Sequence, residues 1–134
     1  MEEATILIVE DEAIVAEYLT HVVRRLGYEL VGTAATAEEA IDLASQFCPQ
    51  LVLMDVLLNG KPDGIKAASA IQELCDHCPV IFLPGSDQTA AIDAADLPGP
   101  YSVIFKPFRA SELASQIERM LNPDSKTESS VQSI

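Results

Sequence analysis

The chain alternates between two hydrophobic periodicities. Ile6-Leu7-Ile8-Val9 is an unbroken apolar run, the pattern of a strand buried on both faces. Ile14, Val15, Tyr18, Leu19, Val22, Val23 and Leu26 then recur at helical spacing. That predicts one apolar helix face, ended by Gly27. Leu30-Val31-Gly32 is a weaker second strand. Thr36 followed by Glu39 is a capping box that opens a helix through Ala40, Ile41, Leu43, Ala44 and Phe47. Pro49 stops it, and Leu51-Val52-Leu53-Met54 is a third strand. Asn59 to Gly64 is dense in turn formers and reads as a loop. A helix follows through Ile65, Ala68, Ile71 and Leu74. Val80-Ile81-Phe82-Leu83 is a fourth strand, broken by Pro84-Gly85-Ser86. Thr89 to Ala95 is a short Ala-rich helix. Val103-Ile104-Phe105 is the fifth strand. The last helix runs from Ser111 to Leu121, with Leu113, Ile117, Met120 and Leu121 facing inward.

Strands alternating with helices imply right-handed βαβ units. The expected fold class is α/β, a five-stranded parallel sheet with helices on both faces. Residues 1–121 are expected to form one domain. Residues 122–134 are Ser-rich, carry Pro123, and are expected to be a disordered tail or a truncated linker. Hydrophobic residues make up 49% of the sequence, enough for one core. The net charge of −13 argues against direct nucleic-acid contact, which needs a basic patch. No apolar run approaches the roughly 18–20 residues that span a bilayer, so no membrane insertion is expected. An acidic start and three cysteines, an odd number, fit a cytoplasmic protein without a complete disulfide framework.

In an open parallel sheet, ligands bind beyond the carboxyl ends of the strands. Strand one is followed by Glu10, Asp11 and Glu12, and strand three by Asp55. Strand four is followed by Pro84, Gly85 and Ser86, and strand five by Lys106 and Pro107. Close carboxylates repel, and a divalent cation with oxygen ligands, Mg²⁺ or Mn²⁺, relieves the repulsion. The lysine offers a fixed positive charge for an anionic group. Carboxylate, divalent cation and lysine together suit phosphoryl transfer, with the carboxylate as nucleophile. Glu12 is expected only to start a helix, where negative charge is favoured.

At these residues the sequence resembles the receiver domain of two-component response regulators. The matching stretches are ILIVEDE at 6–12, LVLMD at 51–55, DGIKAA at 63–68 and FKPF at 105–108. The resemblance covers residues 4–121 and implies a flavodoxin-like (βα)₅ fold. It implies that Asp55 accepts a phosphoryl group from a sensor histidine kinase or a histidine phosphotransfer protein. It implies that Glu10, Asp11, Asp55 and the backbone carbonyl of Leu57 hold Mg²⁺. Lys106 would pair with Asp55 and then with the phosphoryl oxygens, and Pro107 matches the family's proline, usually at a cis peptide. The output would pass to a downstream protein, or to a second copy of the chain, through the fourth helix, fifth strand and fifth helix. Such a chain is a phosphoprotein of signal transduction with slow autodephosphorylation rather than a turnover enzyme.

Two positions depart from the family pattern. The usual Thr or Ser at the end of strand four is Pro84, which has neither hydroxyl nor N–H. Gly85 offers its amide and Ser86 its hydroxyl as replacements for contact with the phosphoryl group. The usual switch aromatic is Val103. Tyr101 and Phe105 share its side of the strand by alternation, and Phe105 is expected in the core. These departures keep a second reading open, a degenerate receiver that binds proteins independently of phosphorylation. A phosphohydrolase with an aspartate nucleophile would need a second aspartate where Leu57 stands. Flavin phosphate would be repelled by Glu10-Asp11-Glu12. Outside the pattern, Cys48, Cys75, His77 and Cys78 are expected at the edge opposite the acids, either as ordinary reduced residues or as a zinc or redox site.

Overall fold

A computed structural model describes residues 4–85 and 88–122. The expectations for Ser86 and for residues 123–134 fall outside them. The elements are β1 (Thr5–Val9), α1 (Ala13–Arg25), β2 (Glu29–Ala34), α2 (Ala37–Phe47), β3 (Leu51–Met54), α3 (Asp63–Leu74), β4 (Val80–Phe82), α4 (Thr89–Asp93), β5 (Tyr101–Val103) and α5 (Ala110–Leu121). All strand pairs are parallel, in the order β2-β1-β3-β4-β5. This is the flavodoxin-like (βα)₅ order. Among the described residues, no helix is long and apolar enough to cross a membrane.

The apolar strand runs are explained by two cores, one on each face of the sheet. Leu7, Val9, Val52, Met54, Val80 and Phe82 face α2, α3 and α4. Ile6, Ile8, Leu51, Leu53, Ile81 and Leu83 face α1 and α5. Successive residues of β1, β3 and β4 therefore bury into opposite layers, as a period of two requires. Thr36 closes the start of α2 by accepting the Glu39 N–H at 3.1 Å. Glu39 reaches back one residue further than a standard capping box, to the Ala35 N–H at 2.9 Å.

Several periodic positions behave differently from the pattern. Only Leu19, Val22 and Val23 of α1 are buried, while Ile14 is 82% exposed and Tyr18 and Leu26 lie at the margin. Ile14 sits in the first turn of α1. Tyr18 instead meets Phe108, with ring centroids 6.2 Å apart. Phe47, at the last turn of α2, is also exposed. β5 starts at Tyr101, two residues before the apolar run, because Val80 and Ile81 of β4 pair with Tyr101 and Ser102. Phe105 is 49% exposed rather than in the core. α4 ends at Asp93 and loosens into a turn, with the Ala95 N–H donating to Ile92 O at 3.0 Å.

Candidate functional site

The chain runs from β1 outward to β2 and then crosses to β3 on the other side. The switch point of the sheet therefore lies between the carboxyl ends of β1 and β3. Backbone bonds that continue the ladder fix each residue just past a strand. The Glu10 N–H donates to Ala34 O at 2.9 Å, and the Asp55 N–H to Val9 O at 2.9 Å. The Ile104 N–H donates to Phe82 O, and the Lys106 N–H to Pro84 O, both at 2.9 Å. Side chains from three strand ends thus start from rigid backbone.

One carboxylate oxygen each from Glu10, Asp11 and Asp55 lies within 4.8 Å of the others. Glu10 and Asp55 are almost fully buried. Lys106 Nζ reaches in from the segment after β5, 3.4 Å from Asp55 Oδ1 and 3.6 Å from Glu10 Oε1. The Lys106-Pro107 peptide is cis. Glu10 Oε2 accepts the Glu12 N–H at 3.1 Å, and Asp11 Oδ2 accepts the Asn59 N–H at 2.9 Å. Glu12 is the exposed N-cap of α1, and its side chain makes no cap bond.

Burial pushes the Glu10 carboxyl up to about 7, and the neighbouring Asp55 charge adds to the rise. The Glu12 amide and Lys106 act in the opposite direction. Asp55 is also raised, first by burial, with the Lys106 charge opposing. Glu10 Oε1 is buried and has no hydrogen-bond partner. A buried carboxylate oxygen without a partner is costly. A hard divalent cation fits this oxygen-only set and would satisfy that atom.

Gly64, in the first turn of α3, makes a close backbone contact that neither the turn-rich loop nor the DGIKAA stretch foretells. A Cβ there would collide with the Asp55 carbonyl oxygen and come within 2.8 Å of Val56 O. Its N–H donates to Val56 O at 3.1 Å. The backbone of Asp55 thus packs directly on the start of α3, and only glycine allows it. Leu57 follows in the β3–α3 loop, with its side chain against the α2–α3 core.

The β4 side differs more from expectation. Pro84 is buried, and its carbonyl holds the Lys106 amide. The Gly85 N–H donates to Gln88 Oε1 at 2.9 Å. That amide is therefore engaged within its own loop. Val103 packs on the α2–α3–α4 core, and Tyr101 meets Phe82 edge to face, centroids 5.9 Å apart. Gln88 had no signal in the sequence beyond following a turn.

At the opposite end of the sheet, Cys75 Sγ donates to Cys48 Sγ at 2.8 Å. Cys78 Sγ donates to Pro49 O at 3.1 Å, and His77 is exposed. Among the described residues, the only group of three His, Cys, Asp or Glu with ligand atoms clustered for a metal is the carboxylate one.

Three carboxylates and a lysine at the switch point of a β2-β1-β3-β4-β5 sheet define a flavodoxin-like domain with an acid-and-lysine pocket. The sequence model of the response regulator receiver domain matches residues 6–118, and the chain belongs to that family. The transcriptional regulatory protein PdtaR of Mycobacterium tuberculosis is 38% identical over 113 residues, 84% of this chain and 54% of its own length. The transcriptional regulatory protein YvrH of Bacillus subtilis is 35% identical over 121 residues, 90% of this chain and 50% of its own. The chain spans about half the length of these curated relatives. The receiver domain of the Erythrobacter litoralis response regulator PhyR superposes with a TM-score of 0.78 at 34% identity, covering 90% of this chain and 92% of that one. Receiver domains generally bind Mg²⁺ through such acidic residues, and the family is mainly a signalling one.

Proposed function

We propose that this chain is a phosphoaccepting receiver. Asp55 takes a phosphoryl group from a phosphohistidine of a sensor histidine kinase or a histidine phosphotransfer protein, in a Mg²⁺-dependent reaction. The observation that carries this reading is the convergence of Glu10, Asp11 and Lys106 on a buried Asp55. An Asp55 carboxylate oxygen forms the new bond to phosphorus as the bond from histidine nitrogen to phosphorus breaks, and the imidazole leaves with that electron pair. Glu10, Asp11, Asp55 and the Leu57 carbonyl would hold Mg²⁺, which would supply charge neutralisation for the phosphoryl oxygens. Lys106 neutralises the acceptor before transfer and pairs with a phosphoryl oxygen afterwards. The chain acts in the cytoplasm as a signalling protein whose own dephosphorylation is slow. Its output passes to a downstream protein or a second copy through α4, β5 and α5.

Two observations favour a second reading, a degenerate receiver that binds partners without phosphorylation. Pro84 removes the usual hydroxyl, and the Gly85 amide is engaged by Gln88.

Amide NMR with Mg²⁺, before and after beryllofluoride, separates the two, with Asp55→Ala as control. Asp55-dependent shifts that reach Gly85, Val103 and α5 are expected of a working switch. Shifts confined to the pocket would favour the degenerate receiver. No Asp55-dependent shift at all would remove the phosphoacceptor reading.

A further inference from the structure

The phosphoacceptor pocket leaves the cysteines unused, and they gather where α2 and α3 both end. Cys48 follows α2 as its C-cap, in the left-handed region at φ 40. Cys75 caps α3. These two caps, 27 residues apart in sequence, bring their sulfurs to 2.8 Å. A covalent bond between sulfurs is about 2.05 Å long, so little motion separates contact from bond. Cys48 is exposed and Cys75 half-buried. The third thiol is differently placed: Cys78 is buried, with its sulfur bonded to the Pro49 carbonyl.

We infer that Cys48 and Cys75 are a redox-active dithiol, closed to an intramolecular disulfide by hydrogen peroxide. The Cys48 thiolate attacks the outer oxygen of the peroxide. The O–O bond breaks, hydroxide leaves and takes up a proton as water, and Cys48 becomes a sulfenic acid. Cys75 sulfur then attacks Cys48 sulfur. The S–O bond breaks, and the departing hydroxide takes the Cys75 proton as a second water. Two thiols and one peroxide give one disulfide and two waters. Two low-molecular-weight thiols reverse the bond by successive exchange: the first forms a mixed disulfide with one cysteine, the second displaces it, and both cysteines return to thiols as the small thiols leave as their own disulfide.

The order of attack follows from accessibility and charge. Cys48 meets solvent, and the oxidant reaches it first. Burial and the neighbouring Cys48 push the Cys75 thiol up to about 12, so it is a poor first nucleophile, and it acts second, losing its proton to the departing hydroxide as it attacks the adjoining Cys48 sulfur. The closed loop, residues 48–75, contains β3, Asp55 and Gly64. The disulfide therefore staples the two helices that flank the acceptor strand on one face of the sheet, at the end far from the pocket. In a reducing compartment, disulfides that do form are mostly transient and regulatory.

The test uses the whole chain, reduced and then exposed to hydrogen peroxide near stoichiometry. Thiols are counted after unfolding, and the linked peptides are identified by mass spectrometry without reduction. The expected result is a fall from three free thiols to one, with Cys48 joined to Cys75 and full recovery in dithiothreitol. Cys48→Ser and Cys75→Ser should each abolish that linked peptide. Three remaining thiols would overturn the inference. So would a bond involving Cys78, a bond between two chains, or Cys48 driven to sulfinic acid without any bond. Because the wild-type peptide map decides the outcome alone, a variant that fails to fold does not blur it. The result is also independent of whether Asp55 accepts phosphate.

Discussion

The Pro84 carbonyl accepts the Lys106 amide at 2.9 Å, so the residue that lacks the family hydroxyl still anchors the family lysine. A proline loses its donor but keeps its acceptor, and the acceptor is what this ladder position uses. Pro84→Thr is therefore expected to preserve the position of Lys106 while adding a hydroxyl at the pocket rim. With beryllofluoride, amide shifts at Gly85 and Val103 should be larger in this variant than in the parent chain. Equal shifts would show that the Gly85–Gln88 contact, rather than the missing hydroxyl, limits transmission.

Gly64 lies too close to the Asp55–Val56 backbone to carry a side chain. Gly64→Ala should destabilise the fold by about 2–4 kcal/mol, the scale of a steric conflict that rigid backbone cannot relax. Urea denaturation measures the loss. A change under about 0.5 kcal/mol, typical of an unconstrained surface site, would mean that α3 slides away freely.

Glu10 gives metal-free stability an unusual pH dependence. Its carboxyl is raised from 4.5 to about 7 in the folded protein, so the fold binds that proton more tightly than the unfolded chain does. The stabilisation is complete below pH 4.5 and is lost as pH rises through about 7. Its size is on the order of 3 kcal/mol. Glu10→Gln should flatten this part of the stability profile in chelator-treated protein. Mg²⁺ competes with the same proton, so its affinity should weaken as pH falls through about 7. Denaturation across pH, with and without Mg²⁺, checks both signs.

Gln72 is fully buried in α3 and holds three backbone groups: Cys78 O at 3.1 Å, Pro100 O at 2.8 Å and the Gly99 N–H at 3.0 Å. Gln72→Leu keeps similar volume but leaves Cys78 O and the Gly99 N–H unpaired, while Pro100 O keeps the Val80 N–H at 3.2 Å. A loss of about 2–4 kcal/mol is expected, since each unsatisfied buried group costs about 1–3 kcal/mol. Faster amide exchange at Gly99 should accompany it. Unchanged exchange would place water in the side chain's role.

The sequence by itself determined the sheet and the residues at its carboxyl edge. Apolar runs such as Leu51–Met54 bury on both faces, and that demand leaves few arrangements other than a parallel sheet between helices. An aspartate or lysine immediately after such a run has its place set by the strand before it, which is why Glu10, Asp11, Asp55 and Lys106 were legible. Positions governed by long-range contact were not. Periodicity placed Ile14 and Tyr18 on an inward face, yet helix-end geometry left Ile14 in solvent and set Tyr18 against Phe108. The steric need for Gly64, the capture of the Gly85 amide by Gln88, the polar stitch at Gln72 and the meeting of Cys48 with Cys75 came only from the tertiary structure. Local pattern reports which surface an element must bury. Which atoms then meet across two elements depends on their relative placement, and that is set by packing both cores at once.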